Sequence, residues 1–276
     1  MKKDQKKISR RSFLKAIGAG GAVVAGEPFA RRLGGFWAQE RSPIIIGHQC
    51  EYTGLLAGWG YWMDLTAKYA IKQINESGGI GGRTVEYYME DTASDAATGA
   101  RKIRALIQKW NSDFILGAIL TGPVTGSLPV AKELKTVYFM SSGADEVITK
   151  FGNRYTFIGN GVERTKITYG VPWVMKNLGK KVTFLVYDMG WGYSHVDGAT
   201  PIIEKMGGKV LDKIYVPLDV KDFYPYLRKI NPETEVLYVA VSGPPALAFL
   251  TQSYEIGLHK KMHRYVDVGG LGGLRH

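Results

Sequence analysis

Apolar positions along this chain change their period in a regular way. Residues 44–48 form a short apolar run of the kind a parallel strand shows when helices cover both its faces. Over residues 59–77 the period becomes helical: Trp62, Leu65, Tyr69 and Ile74 predict the packed face, with Lys68, Lys72 and Gln73 on the wet side. Gly78-Gly79 stops that helix, because glycine accepts the left-handed conformation that ends helices. Strands are then predicted at 84–90, 113–118 and 137–140, with helices at 95–110 (Ser94 as N-cap) and 124–134. The pattern restarts with strands at 155–158, 181–187, 209–216, 236–241 and 264–268. Helices alternate with them at 163–177, 194–206, 222–230 and 246–256. This is an α/β chain, and regular alternation predicts parallel sheets with right-handed crossovers. Some 110 residues on either side of Tyr155 predict two doubly wound lobes, 39–154 and 155–276. Ligands in such sheets sit beyond the carboxyl ends of the strands.

Composition narrows the classes. Apolar residues are 45% and charged residues 22%, which excludes disorder for most of the chain. A single cysteine, Cys50, excludes a disulfide framework and a multi-cysteine metal site. The net charge of +11 is misleading until located, since residues 1–38 alone carry +7 and leave +4 for the rest. The folded body therefore has little excess for nucleic acid, and none is expected as a partner. The basic leader holds Ser9-Arg10-Arg11-Ser12-Phe13-Leu14-Lys15, followed by eleven uncharged, mostly small residues at 16–26. Charge, apolar run and paired arginines in this order resemble a twin-arginine signal peptide. The expectation is export by the twin-arginine machinery to the periplasm or exterior, with cleavage after Ala38 and Gly26 as the alternative. Residues 114–131 carry no charge, but Gly117, Gly122, Pro123, Gly126 and Pro129 interrupt them, so they read as strand, turn and helix start.

The loops lack catalytic equipment. Glycine pairs at 18/20, 79/81 and 270/272 all fail the i, i+2, i+5 dinucleotide spacing, and no phosphate-binding loop is present, so no cofactor is expected. Gly192-Tyr193-Ser194-His195 lacks the second glycine of a nucleophile elbow and reads as a helix start. His259 and His263 have no accompanying Glu and read as a surface pair. His48 and Cys50 end the first strand, where they could reach a ligand, but no base or orienting group for Cys50 is identifiable.

What the loops carry instead is rings, glycines and small hydroxyls. Candidate ligand-binding residues are Tyr52, Thr53, Trp59 and Tyr61 after the first strand, and Thr121 and Gly122 after the third. Ser141, Ser142, Gly143 and Asp145 follow the fourth; Trp191, Tyr193, Ser242 and Gly243 stand in the second lobe. Hydroxyls and backbone N–H groups hold polar ends, while rings close over apolar bodies. For Trp62 and Tyr69, core packing is the expectation.

Ile74-Asn75-Glu76-Ser77-Gly78-Gly79-Ile80-Gly81-Gly82-Arg83, followed by Glu90-Asp91 and Asp95, resembles the signature of the exported solute-binding proteins of ABC importers, branched-chain amino acid group. Thr53-Gly54 with Gly60, Trp191-Gly192, residues 206–210 and Asp222-Phe223 also match, over roughly residues 44–270. The resemblance implies two Rossmann-like lobes joined by a hinge that close on a small molecule, and a monomer that delivers it to a membrane permease. A ligand-sensing module acting on a signalling partner is the alternative, and an exported hydrolase or dehydrogenase a third. The resemblance gives Thr121 and Ser141 to a ligand carboxylate. Where a second-lobe carboxylate would take an ammonium group, the chain reads Gly243-Pro244-Pro245, so an ammonium would stand unpaired unless Asp145 or Asp188 replaces that anion. An amide, an aromatic or aliphatic carboxylate, or an amino acid held differently are all open as ligand. It also implies further elements after the last strand, so an incomplete second lobe is expected at 272–276.

Overall fold

A computed structural model describes residues 42–267. The leader, its cleavage point, residue 268 of the last expected strand and the 272–276 tail lie outside the described residues.

The first sheet is built from β1 (Ile44–Cys50), β2 (Val85–Asp91), β3 (Phe114–Gly117), β4 (Val137–Met140) and β5 (Thr156–Ile158). The helices between them are α1 (Ala57–Glu76), α2 (Ala96–Gln108), α3 (Thr121–Glu133) and the single turn α4 (Glu146–Thr149). All pairings are parallel, in the order β2-β1-β3-β4-β5. The chain passes through residues 159–162 into α5 (Glu163–Asn177) and the second sheet. That sheet comprises β6 (Lys181–Tyr187), β7 (Lys209–Val216), β8 (Val236–Ala240) and β9 (His263–Val266), in the order β7-β6-β8-β9 and again all parallel. Its helices are α6 (Gly190–Lys205), the short α7 (Tyr224–Leu227) and α8 (Pro244–Glu255). Each sheet reverses its winding beside its first strand, between β1 and β3 and between β6 and β8. Those are the points where a crevice opens at the carboxyl ends.

Burial follows the expected logic. In β6 six of seven residues are buried and in β8 all five, the continuous apolar run of a doubly covered strand. The second sheet packs a core on each face, one around Leu185, Phe223 and Phe249, the other around Phe184, Val196 and Ile203. The first lobe has its own core around Ile103, Leu106, Ile115 and Tyr138.

Two local expectations are corrected. The N-cap of α2 is Asp95, whose side chain accepts from the Thr98 amide at 2.7 Å, while Ser94 precedes it in the left-handed region (φ 57°). Trp62 and Tyr69 are 54% and 61% exposed. The inward stripe of α1 is Gly60, Asp64 and Ile71 instead. Asp64 is tolerated inside because Tyr87 donates to it at 2.8 Å and Lys68 at 2.7 Å. Trp62 and Tyr69 lie on the opposite face of the helix, about half a turn from that stripe.

Candidate functional site

The carboxyl ends of the two sheets enclose a cavity of about 190 Å³. From the first sheet, the turn after β1 supplies Leu55, Leu56 and Trp59; the turn after β3 supplies Ile119, Leu120 and Thr121; the end of β4 supplies Ser141, Ser142 and Gly143. From the second, Tyr187, Met189 and Trp191 come from the end of β6 and the start of α6, Ser242 follows β8, and Asp267 follows β9. Asn160 stands between the sheets, and Glu163 and Lys166 lie in the first turn of α5.

Glycines bring helix starts close to strand ends. A Cβ on Gly60 would lie 2.0 Å from the Glu51 carbonyl oxygen, and one on Gly192 would lie 1.9 Å from that of Tyr187. Neither α1 nor α6 could begin where it does with a larger residue, and Trp191 is placed by that approach. Its ring packs against all three cores, that of the first lobe and both of the second. A direct bond also crosses the lobes: the backbone N–H of Asp145 donates to Ser194 Oγ at 3.0 Å.

The first-lobe wall offers hydroxyls. Thr121 Oγ1 and Ser142 Oγ are buried and have no hydrogen-bond partner among the described residues. The opposite wall carries charge. Glu163, 1% exposed, accepts from the Trp191 indole N–H at 2.9 Å and from Lys166 Nζ at 2.8 Å. Its second oxygen faces His195 Nε2 at 3.4 Å, and Asp267 lies 4.0 Å from both His195 and Lys166. Tyr238 fixes the other ring nitrogen of His195 at 2.9 Å. Burial pushes His195 down to about 4, so its imidazole is neutral, and burial pushes Glu163 up. Burial opposes the Lys166 charge, but Glu163 and Asp267 more than offset it and raise its pKa. Glu163, His195 and Asp267 present ligand atoms within 4.8 Å of one another, a metal-like spacing. The Lys166 ammonium already supplies a cation there.

Of the residues singled out from sequence, Trp59, Thr121, Ser141, Ser142, Gly143, Trp191 and Ser242 line the cavity. The others lie outside its lining for identifiable reasons. Thr53 is turned to Asp91, which takes its hydroxyl at 2.6 Å and its amide at 3.1 Å. Tyr52 and Tyr61 are exposed, Tyr61 edge-on to Trp62. Gly122 faces Ala96 of α2, and Gly243 (φ 68°) makes the turn into α8. Asp145 is engaged by the amide and guanidinium of Arg164, and Asp188 by the hydroxyl of Tyr193. Neither aspartate lines the cavity. His48 is bound to Tyr87 and lowered by burial to about 4, and Cys50 is buried against the Gly60 carbonyl with its thiol pushed up to about 12. A thiol held neutral in this way is not a nucleophile at neutral pH.

Glu163, Lys166, Tyr187 and Asp267 were missed. Glu163 reads as an ordinary acidic residue in a first helical turn, and Lys166 as its i+3 partner. Asp267 had a usable signal, since it follows the last strand at its carboxyl end.

Residues 43–273 match the family model described as periplasmic binding protein, and residues 7–26 match the twin-arginine translocation pathway signal sequence. The leader thus directs the chain to export. Among the described residues no helix is long and apolar enough to cross a membrane. A Leu/Ile/Val-binding protein homologue of Brucella melitensis is 24% identical over 206 residues, 74% of this chain and 56% of the relative. A Rhodopseudomonas palustris solute-binding protein of an ABC transporter, in complex with 4-hydroxybenzoate, superposes with a TM-score of 0.75 at 20% identity, covering 84% of this chain and 63% of that one. A branched-chain amino acid transporter substrate-binding protein of Streptococcus pneumoniae, in complex with isoleucine, gives 0.70 at 22%, covering 78% and 62%. The chain thus spans less than two thirds of the length of these relatives.

Proposed function

Because the chain belongs to the periplasmic binding protein family, we propose that it is an exported receptor that captures an amino acid or related small polar or carboxylate molecule between its lobes and delivers it, as a monomer, to an ABC permease. The observation that carries this reading is the pairing of walls across the cavity. Thr121 and Ser142 hold buried hydroxyls without partners on one side, and Glu163, Lys166 and Asp267 stand on the other. Unpaired hydroxyls suit a ligand carboxylate, and carboxylates suit a ligand ammonium or hydroxyl. Leu55, Leu56, Trp59 and Trp191 leave apolar surface for the rest of the molecule.

Capture works by population shift. A ligand touching both walls favours the closed arrangement by its extra contacts there, and Trp191 moves with the second lobe against the core of the first. Membership of a family of binding proteins supports capture without turnover.

A thermal-shift screen against amino acids, amides and aromatic acids tests this. A ligand at 100 times its Kd adds about 2.7 kcal/mol, which corresponds to a rise of roughly 5–10 °C in a body of this size. A rise confined to one chemical class supports the receptor reading and names the ligand. A cooperative transition that none of these compounds moves, or conversion of a bound compound into product, overturns it.

A further inference from the structure

Glu51 follows β1 directly and is fully buried, yet it does not line the cavity. Its Oε1 accepts from the amides of Ile119 at 3.0 Å and Leu120 at 3.1 Å, and its Oε2 accepts from Ile119 at 3.1 Å. These amides end the β3–α3 turn immediately before Thr121. Leu120 is the N-cap of α3 and supplies no side-chain cap of its own. The carboxylate at the end of β1 therefore takes the N-cap amide itself, the donor that a Glu or Gln at the third helical position would take in a capping box and that Pro123 cannot, together with the amide before it. The three residues of that turn, Ile119, Leu120 and Thr121, all face the cavity.

We propose that Glu51 is a positioning residue for ligand binding: its buried carboxylate fixes the turn that presents Ile119, Leu120 and Thr121, so affinity falls when that carboxylate takes a proton. A protonated carboxyl turns one of its oxygens into a donor facing N–H donors, and the turn loses an acceptor. This rests on the receptor reading for its consequence, though not for its geometry.

The surroundings make the proton relevant near neutrality. Burial pushes Glu51 up to about 7, the Leu120 and Ile119 amides pull it back, and the charge of Asp91 at the end of β2 adds to the rise. Tyr138 on β4 and Cys50 beside it on β1 are the other titratable groups that feel its charge. Both are pushed upward by burial, Cys50 to about 12, so neither ionises in this range.

The test follows the backbone amide resonances of Ile119 and Leu120 in the ligand-free, full-length protein from pH 5.5 to 8.5. Both are expected to shift together with a midpoint of about 7, to become pH-independent in Glu51→Gln, and to titrate at lower pH in Asp91→Asn. With whichever of L-isoleucine and 4-hydroxybenzoate moves the unfolding midpoint, Kd rises about tenfold from pH 8 to pH 6 in the native protein, because affinity scales with the competent fraction. It stays flat in Glu51→Gln. Amides that do not titrate in the native protein, or that titrate unchanged in Glu51→Gln, overturn the proposal. The amide measurement needs no ligand, so a failed screen counts against the receptor reading and leaves Glu51 to be judged separately. If Glu51→Gln does not fold, the native titration and its displacement in Asp91→Asn decide.

Discussion

Trp191 offers a perturbation whose two contributions can be separated. Its indole N–H donates to the buried Glu163 carboxylate at 2.9 Å, and its ring packs against three cores. Trp191→Phe keeps most of the ring and deletes the donor. Hydrogen bonds to charged groups contribute about 1.5–3 kcal/mol. Glu163 retains Lys166 at 2.8 Å, so the low end, about 1.5 kcal/mol, applies. Trp191→Ala deletes the packing as well. Fully buried aromatic truncations cost about 3–5 kcal/mol, and because this ring borders a cavity about 2–3 kcal/mol beyond the donor is expected. At about 2–4 °C per kcal/mol, Phe lowers the melting midpoint by about 3–6 °C and Ala by about twice to three times as much. Circular dichroism melts of the three proteins check this. Calorimetric titration with a ligand from the screen should show a small loss of affinity for Phe and at least tenfold for Ala. A Phe variant as stable as the native protein would refute the bond to Glu163. An Ala variant no worse than Phe would refute the account of Trp191 as the element that joins the cores.

Other expectations follow from the same geometry. Thr121→Ala and Ser142→Ala each remove a buried, unpartnered hydroxyl; they should leave unfolding within about 0.5 kcal/mol of native yet weaken ligand binding about threefold to tenfold, as paired titration and urea curves would show. Gly192→Ala puts a Cβ 1.9 Å from the Tyr187 oxygen and should cost about 3 kcal/mol in a urea melt, with loss of binding because Trp191 shifts. His48 and His195 both titrate at about 4 instead of the ordinary 6.5, so the unfolded chain takes up their protons first. The stability they contribute is present above 6.5 and is lost as pH falls toward 4. Glu51 acts in the opposite sense, holding its proton up to about 7, so stability from that group is lost as pH rises. Two histidines outweigh one carboxyl. Urea midpoints should fall from pH 6.5 to 4, less steeply in His195→Gln and more steeply in Glu51→Gln; a flat profile would contradict the burial assigned to these rings.

The strands and helices were largely legible because burial dictates period. The expected bounds of β4, β6, β7 and α5 coincide with those found, since each is a run with one period and clear breakers. Legibility failed where a residue type serves two purposes. Gly190-Trp191-Gly192-Tyr193 reads as the junction before a helix expected at 194, but α6 begins at Gly190, Gly192 lets its first turn touch the end of β6, and Gly190 lies against Glu146. On α1 the large rings suggest the inward face, whereas the buried stripe contains a glycine and an aspartate whose partners lie on β2 and the helix itself. For the cavity, the hydroxyl wall was readable from strand-end positions. The charged wall was not, because Glu163 and Lys166 look like helix-surface charges until the sheets meet above them.

The cavity also has a kinetic meaning. Its lining runs from Leu55 to Asp267, so almost the whole described chain must be in place before the last wall exists. Each parallel strand pair in these sheets is closed by a crossover and not a tight turn, and contacts of such long sequence separation form slowly. Leu55 and Thr121 can meet once β1 and β3 pair, but Asp267 joins only after β9 docks on β8. A half-folded intermediate would therefore hold the hydroxyl wall without the charged one, and could not retain ligand. Ligand retention during refolding thus times the docking of β9.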